Sequence, residues 1–261
     1  MLRRAYALQK RRAGGDWHAL VSVHDEVVVR DDEERVIKGY SIQKLAVAVA
    51  VLDQVDRQRL GLETRIRLRE QDVLPGSGLY HLQPGWGDEL TVAGVLIALL
   101  VVSDNTAVRL CGRLTPPDEI NEILAAKGFR HTRVEPVGRA GRFLLGDTTA
   151  AETHDLLTRL AKGTLLKPET GAFMLRVLSA AGGYHDGVRR DMTSAQRRRV
   201  ATKHGADHEG GRAARHEAGI IGDAVVYSLF ADNLGDAGDY GPTHPAVRAH
   251  AALGRAMLKC C

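Results

Sequence analysis

Cysteine is scarce in this sequence of 261 residues, which holds only Cys111, Cys260 and Cys261. Cys111 lies in an apolar helical run and reads as a small buried hydrophobe. An adjacent pair at 260–261 with one distant partner excludes a disulfide framework. Aromatic residues make up only 5%, while Ala, Arg and Gly are abundant, a composition typical of GC-rich coding sequence. No run approaches the roughly 18 apolar residues of a membrane span. The opening MLRRAYALQKRRAGGDW is basic but has neither an apolar h-region nor a cleavage pattern, so it is not a secretory signal. As given the chain reads as cytoplasmic; removal of a leader would make it secreted or periplasmic. Internal repeats and low-complexity segments are absent.

What is present is 44% hydrophobic and 26% charged residues, the balance of a soluble globular protein with one large domain or two lobes. Lys and Arg (36) exceed Asp and Glu (32), a formal net charge of +4. The basic residues are scattered, with the longest cluster at Arg197–Arg199, and read as a solvated face. A small-molecule partner is expected, and no nucleic acid or membrane partner. A mildly basic cleft would favour a substrate carrying a carboxylate.

Along the chain, residues 2–13 read as a basic amphipathic helix ended by Gly14-Gly15. Apolar runs on either side of His24-Asp25-Glu26 give a hairpin. Ser41 opens an apolar helix, LAVAVAVLDQV, buried at its front end. Residues 63–90 are turn-rich. Thr91 caps a helix that stops at Ser103-Asp104-Asn105. Further helices run through Leu114, from Pro116-Pro117 through Leu124, from Thr149 to Leu160 and from Pro168 to Ala181, and residues 128–149 are irregular. Val200 to Lys203 is β-like and leads into a Gly- and His-rich loop. Two more β-like runs flank Gly222-Asp223, and a last helix covers Pro245 to Leu258. Strands at both ends and helices between them imply a mixed α+β fold. One antiparallel sheet is flanked by the terminal helices, beside an all-helical lobe. The expected division is 1–38 with 190–261 as a discontinuous α/β lobe, and 39–189 as the helical lobe. A cleft between the lobes is the natural site.

Three motifs carry chemistry. Ser41-Ile42-Gln43-Lys44 places a hydroxyl and an amine on one helical face, at a terminus rich in free N–H groups. A buried lysine loses basicity and serves as a proton acceptor, activating the serine. Alone the spacing also fits a capping Ser and a surface Lys. Ser103-Asp104-Asn105 is a polar interruption between apolar helices, either a new N-cap or a proton relay with a substrate-holding amide. Lys203-His204-Gly205-Ala206 follows a β-like run. Gly205 would let a substrate approach the backbone, and the N–H groups of Ala206 and Ser41 would form an oxyanion hole.

In this order and spacing the set resembles the serine β-lactamase and penicillin-binding protein superfamily, with motifs S-x-x-K, S-D-N and K-T-G, and class A most closely. The likeness runs from about Ala19 to about Asp232. It implies a β-lactamase/transpeptidase-like fold and β-lactam ring opening through acyl-Ser41. Lys44 would be the proton acceptor, Ser103 the relay to the leaving nitrogen, and Asn105 the holder of the substrate's amide side chain. Lys203 and His204 would face the substrate carboxylate, and Tyr80 would line the cleft mouth. No cofactor or metal is implied, and a monomer is the family's usual state. The sequence departs from the pattern at His204, where the family has Thr or Ser, and at the short Ω-like loop TRVEPVGRAGRFLLGD. There Glu135 matches the family's deacylating Glu, Arg133 and Asp147 would pair, and no Asn is present. Ala218 stands where the family has a cation, for which Arg212 or Arg215 would substitute. His204, His208 and His216 read as loop histidines rather than metal ligands. Alternatives are a cytoplasmic amidase, esterase or acyl-transfer enzyme, or a penicillin-binding protein that acylates without turnover.

Overall fold

The structure is a computed structural model that describes residues 1–180 and 182–261. Helix α1 (Leu2–Ala13) leads into a hairpin of β1 (Asp16–Val23) and β2 (Glu26–Asp31). His24 and Asp25 turn it with φ of 48° and 68°, the doubly left-handed geometry that matches the twist of paired strands. The middle of the chain contains α2 (Lys44–Asp56), α3 (Val92–Val101), α4 (Asn105–Leu114), α5 (Pro117–Ala126), α6 (Ala150–Ala161), α7 (Pro168–Leu178) and the single turn α8 (Ser194–Arg197). Short strands pair among them: β3 (Ile37–Lys38) with β8 (Asp147–Thr148), β4 (Arg65–Arg67) with β5 (Glu89–Thr91), and β6 (Glu135–Pro136) with β7 (Phe143–Leu144). The chain closes with β9 (Val200–Glu209), β10 (Arg212–Ile221), β11 (Val225–Leu234) and α9 (Pro245–Leu258).

The long strands form one antiparallel sheet in the order β2-β1-β11-β10-β9. The N-terminal hairpin thus pairs with the last strand, Trp17 opposite Ala231 and Val21 opposite Tyr227. The Gly- and His-rich stretch after Lys203, expected as a loop, is strand through Glu209. Arg215, His216 and Glu217 of β10 lie opposite Ala206, Gly205 and His204, so the ladder pairs backbone groups that a loop would leave to solvent. Gly210 and Gly211 make its turn.

One apolar core lies between the helices and one sheet face, reaching Ala218, Ile220 and Phe230. A second lies between the opposite face and the terminal helices, around Trp17, Tyr227, Leu229 and Leu253. Helix α2 is buried from Lys44 to Gln54, well beyond its front end. A helix apolar on all sides has no solvent face and becomes the axis of its lobe. Its last turn keeps Asp53 buried by pairing it with Lys127 at 2.8 Å and Arg57 at 2.6 Å. Among the described residues no helix is long and apolar enough to cross a membrane.

Helices α1 and α9 pack together on the outer face. A Cβ on Gly254 of α9 would lie 2.2 Å from Val188 O, against backbone that cannot swing away. Gly254→Ala therefore costs about 2 kcal/mol through overpacking, outweighing the roughly 1 kcal/mol of helix propensity that alanine adds. A urea midpoint below that of the parent protein is expected; an equal or higher midpoint would contradict the packing.

Candidate active site

Ser41 does not open α2 itself. Tyr40–Gln43 form a 3-10 turn, and α2 starts at Lys44. Residues three apart eclipse in a 3-10 turn, so Ser41 and Lys44 share one face as the spacing predicts. Tyr40 sits at φ 45°, a left-handed conformation costly for a non-glycine residue. The turn is held from two sides. The buried Gln43 amide donates to Arg133 O at 3.1 Å and to Asp147 O. From the other side β9 presses on it: a Cβ on Gly205 would stand 2.9 Å from Ile42 N and 3.1 Å from Gly39 O. Gly205 thus admits the Ser41 turn to the strand, rather than a substrate to the backbone as the sequence suggested.

Lys44 is fully buried. Its Nζ donates to Ser103 O at 2.5 Å, Ser103 Oγ at 3.1 Å and Asn105 Oδ1 at 2.9 Å. Its three ammonium hydrogens are therefore directed at the second motif rather than at Ser41. Desolvation lowers its pKa to about 7, against the weaker opposing charge of Asp104.

Ser103 has φ 55°, which turns its carbonyl onto Lys44. Asp104 caps α4 through Ala107 N at 2.9 Å. Its other oxygen accepts from Leu79 N at 2.6 Å and Tyr80 N at 2.9 Å, tying loop 74–82 to the motif. The triplet thus caps α4 and also meets Lys44 through Ser103 and Asn105. Tyr80 does not face the cleft as expected: it packs on the helical core, and its hydroxyl donates to Gly94 O at 3.2 Å. The apolar helix start behind it offers better burial for the ring than the cleft mouth. Asn105 lines the cleft, with Oδ1 on Lys44 and Nδ2 donating to Pro75 O at 3.2 Å.

On edge strand β9, Lys203 is fully buried and donates to Ser103 Oγ at 3.0 Å. One hydroxyl thus lies between two lysine amines. Desolvation, then the charge of Lys44, holds the Lys203 pKa well below its usual value. His204 and Ala206 line the cleft. His204 stacks on Tyr184 with ring centroids 3.9 Å apart. Burial, then the charges of Lys203 and Lys44, pushes its pKa far down. Neither arginine substitutes for Ala218, which pairs with Lys203 across the ladder. Arg215 donates to the carbonyls of Asp207, Ala237 and Asp239 and lies under the Tyr240 ring, and Arg212 is bound to Asn233.

Glu135 lines the same cleft and accepts from Lys38 Nζ at 2.5 Å. Lys38 also lies 3.4 Å from Asp147, and the Glu135 hydrogen bond is the main cause of its raised pKa. Arg133 approaches Asp147 at 4.0 Å, a loose, exposed form of the expected pair.

The cleft encloses about 770 Å³ between β9, the Ser41 turn, Ser103–Asn105 and the 135–145 loop. Its wall is not basic as expected. Among the described lining residues the carboxylates are Glu135, Asp207 and Glu209, against Lys38. No group of three His, Cys, Asp or Glu side chains gathers as a metal site among the described residues. His208 meets Tyr240 Oη at 2.6 Å, while His216 accepts from Ala231 N and contacts Lys38 O, so the three histidines part. Sequence reasoning missed Lys38, Gln43 and Tyr184. Gln43 had a signal, a polar residue between Ile42 and Leu45 in the first motif, whereas Lys38 and Tyr184 meet the site only through tertiary contact.

A family model described as the Beta-lactamase enzyme family matches residues 7–260. Beta-lactamase OXY-2 of Klebsiella oxytoca is 28% identical over 248 residues, covering 91% of this chain and 72% of that protein. Beta-lactamase L2 of Stenotrophomonas maltophilia is 31% identical over 132 residues, covering 48% of this chain and 42% of its own. Among solved structures, a beta-lactamase from Chitinophaga pinensis matches with a TM-score of 0.84 at 17% identity, covering 99% of this chain and 98% of that one. A class A beta-lactamase from Bacteroides cellulosilyticus matches at 0.79 and 16%, covering 100% and 98%. At these identities the structures establish the fold, and the family model, spanning nearly the whole sequence, establishes the membership: the chain belongs to the beta-lactamase enzyme family.

Proposed function

We propose that the protein opens β-lactam rings through an acyl-Ser41 intermediate and hydrolyses that intermediate. The observation that carries this reading is the Ser103 hydroxyl held between the Lys44 and Lys203 amines, 3.1 and 3.0 Å away, at the base of the cleft that Ser41 lines. In acylation Ser41 Oγ bonds to the lactam carbonyl carbon and passes its proton to the neutral Lys44 amine. The carbon–nitrogen bond breaks, and the proton reaches the leaving nitrogen through Ser103 Oγ. The N–H groups of Ser41 and Ala206 stabilise the oxyanion. In deacylation a water activated by Glu135 attacks the ester carbon and returns Ser41 to its hydroxyl. Lys38 occupies Glu135 Oε1 and leaves the second oxygen for that water. Every residue in this scheme comes from one chain, so the proposed working unit is a monomer.

Purified protein mixed with a chromogenic cephalosporin is expected to give sustained colour. Ser41→Ala should abolish it, and unchanged turnover by that variant would exclude the mechanism. Glu135→Gln should retain one equivalent of colour and then accumulate a stable mass increase on Ser41, since acylation precedes its step. Clearance of the adduct at the parent rate would remove Glu135 from the scheme.

The pH dependence follows from Lys44. Only its neutral form accepts the proton, and its pKa is lowered to about 7. The apparent kcat/KM should therefore rise about tenfold per pH unit below 7 and level off above it. A limb near pH 4–5 instead would assign the acylation base to a carboxylate, at about its ordinary pKa.

A further inference from the structure

His204 stands in the cleft on a support that none of the three motifs contains. Its backbone is fixed by the sheet, paired with Glu217 of β10, and its carbonyl accepts from Lys203 Nζ at 2.8 Å. Its ring has no such tie. Among the described residues no group is hydrogen-bonded to either imidazole nitrogen, and the residue lines the cleft. The ring is instead covered by that of Tyr184, with centroids 3.9 Å and planes 20° apart. A flat neighbour at van der Waals contact removes most of the freedom an imidazole has about its side-chain bonds.

Tyr184 lies in an irregular segment between α7 and α8, so its place depends on how that segment is tied down. Val188 N donates to Glu217 Oε2 at 2.9 Å, and Glu217 Oε1 accepts from Thr202 Oγ1 at 2.9 Å. A fully buried carboxylate thus joins the segment to both β10 and β9. Gly187 permits this contact, since a Cβ there would overlap Glu217 Oε2. Buried Arg189 donates to Leu178 O at 2.9 Å, Ala180 O at 3.2 Å and Val200 O, fastening the segment to the end of α7 and the start of β9. Gly254 of α9 closes on Val188 from outside. Residues directly opposite in paired strands project from one face of the sheet. Glu217 and His204 are such a pair, so the segment that Glu217 holds is the one that lays Tyr184 on the histidine.

On the acyl-Ser41 reading given above, we propose that Tyr184 is a positioning residue that acts through His204, its stacked ring holding the imidazole edge toward the acyl donor before the donor arrives. A ring ordered in advance spares the donor the cost of immobilising it. Tyr184 itself lies behind His204 and outside the described cleft lining.

The test joins kinetics to a spectrum taken without substrate. Tyr184→Ala is expected to lower kcat/KM for a chromogenic cephalosporin about fivefold, the size that one pre-ordered side chain contributes. Tyr184→Phe keeps the stack and should stay near the parent value. In a His204→Ala background, Tyr184→Ala should add no further loss, because the residue it acts through is gone. In the free protein with 13C-labelled histidine, the His204 ring-proton resonance, assigned with His204→Ala, should lie upfield under the Tyr184 ring. It should remain there in Tyr184→Phe and move downfield in Tyr184→Ala. Tyr184→Leu, which keeps apolar bulk without a ring, serves in place of the alanine variant if that one does not fold. Losses that multiply in the double variant would overturn the inference, as would a His204 resonance left in place by loss of the tyrosine ring. A Tyr184→Phe variant as impaired as Tyr184→Ala would also overturn it, since the hydroxyl and not the stack would then carry the effect. Absence of a mass gain on Ser41 in the parent protein would sink the acyl-enzyme reading and this role with it, even where the resonance shows the stack.

Discussion

A lysine amine with no solvent contact, at the first turn of a helix buried through Gln54, is the constraint on which the site rests. An ammonium in that position is stable only if its hydrogens are all received. Ser103 and Asn105 receive them, which explains why a polar triplet interrupts two apolar helices. The backbone at Ser103 accepts a left-handed conformation to bring its carbonyl onto the amine. The burial that makes the contact obligatory also weakens the lysine as a base, enough for it to exchange protons near neutrality. Stability and chemistry at this point have one cause.

The rest of the fold brings polar groups to that amine from distant parts of the chain. The N-terminal hairpin and β11 complete a sheet whose far edge, β9, delivers Lys203 to the opposite side of Ser103. Gly205 lets that edge close on the Ser41 turn, and Gln43 fastens the turn to the 133–147 loop. The same loop brings Glu135 to the cleft already paired with Lys38, so the orientation of the carboxylate is set before any substrate arrives.

Much of this was legible in the sequence. The three motifs meet as their order implied, since Lys44, Ser103, Asn105 and Lys203 are hydrogen-bonded together. Local chemistry also gave the Thr91 cap, the hairpin around His24-Asp25-Glu26, whose last residue already belongs to β2, and the span of α9, because capping, turn and proline signals act within a few residues. The β9–β10 hairpin was missed since Gly, His and Asp are poor strand formers, and its register comes from pairing with β10. Tyr80 and the Tyr184–His204 stack depend on which surface a ring finds after folding. A net charge of +4 gave the wrong sign for the cleft because Arg212 and Arg215 bind carbonyls and Asn233 instead of lining it. Local charge follows side-chain direction, which composition does not contain.

The central claim, that burial makes Lys44 an amine close to neutrality, is open to direct titration. Selectively 13C-labelled lysine would report the Lys44 Cε resonance as pH is raised, with Lys44→Arg providing the assignment. The account predicts a midpoint near 7. A midpoint near the ordinary lysine value of 10.5 would contradict it, and with it the proposed role of Lys44 as proton acceptor for Ser41.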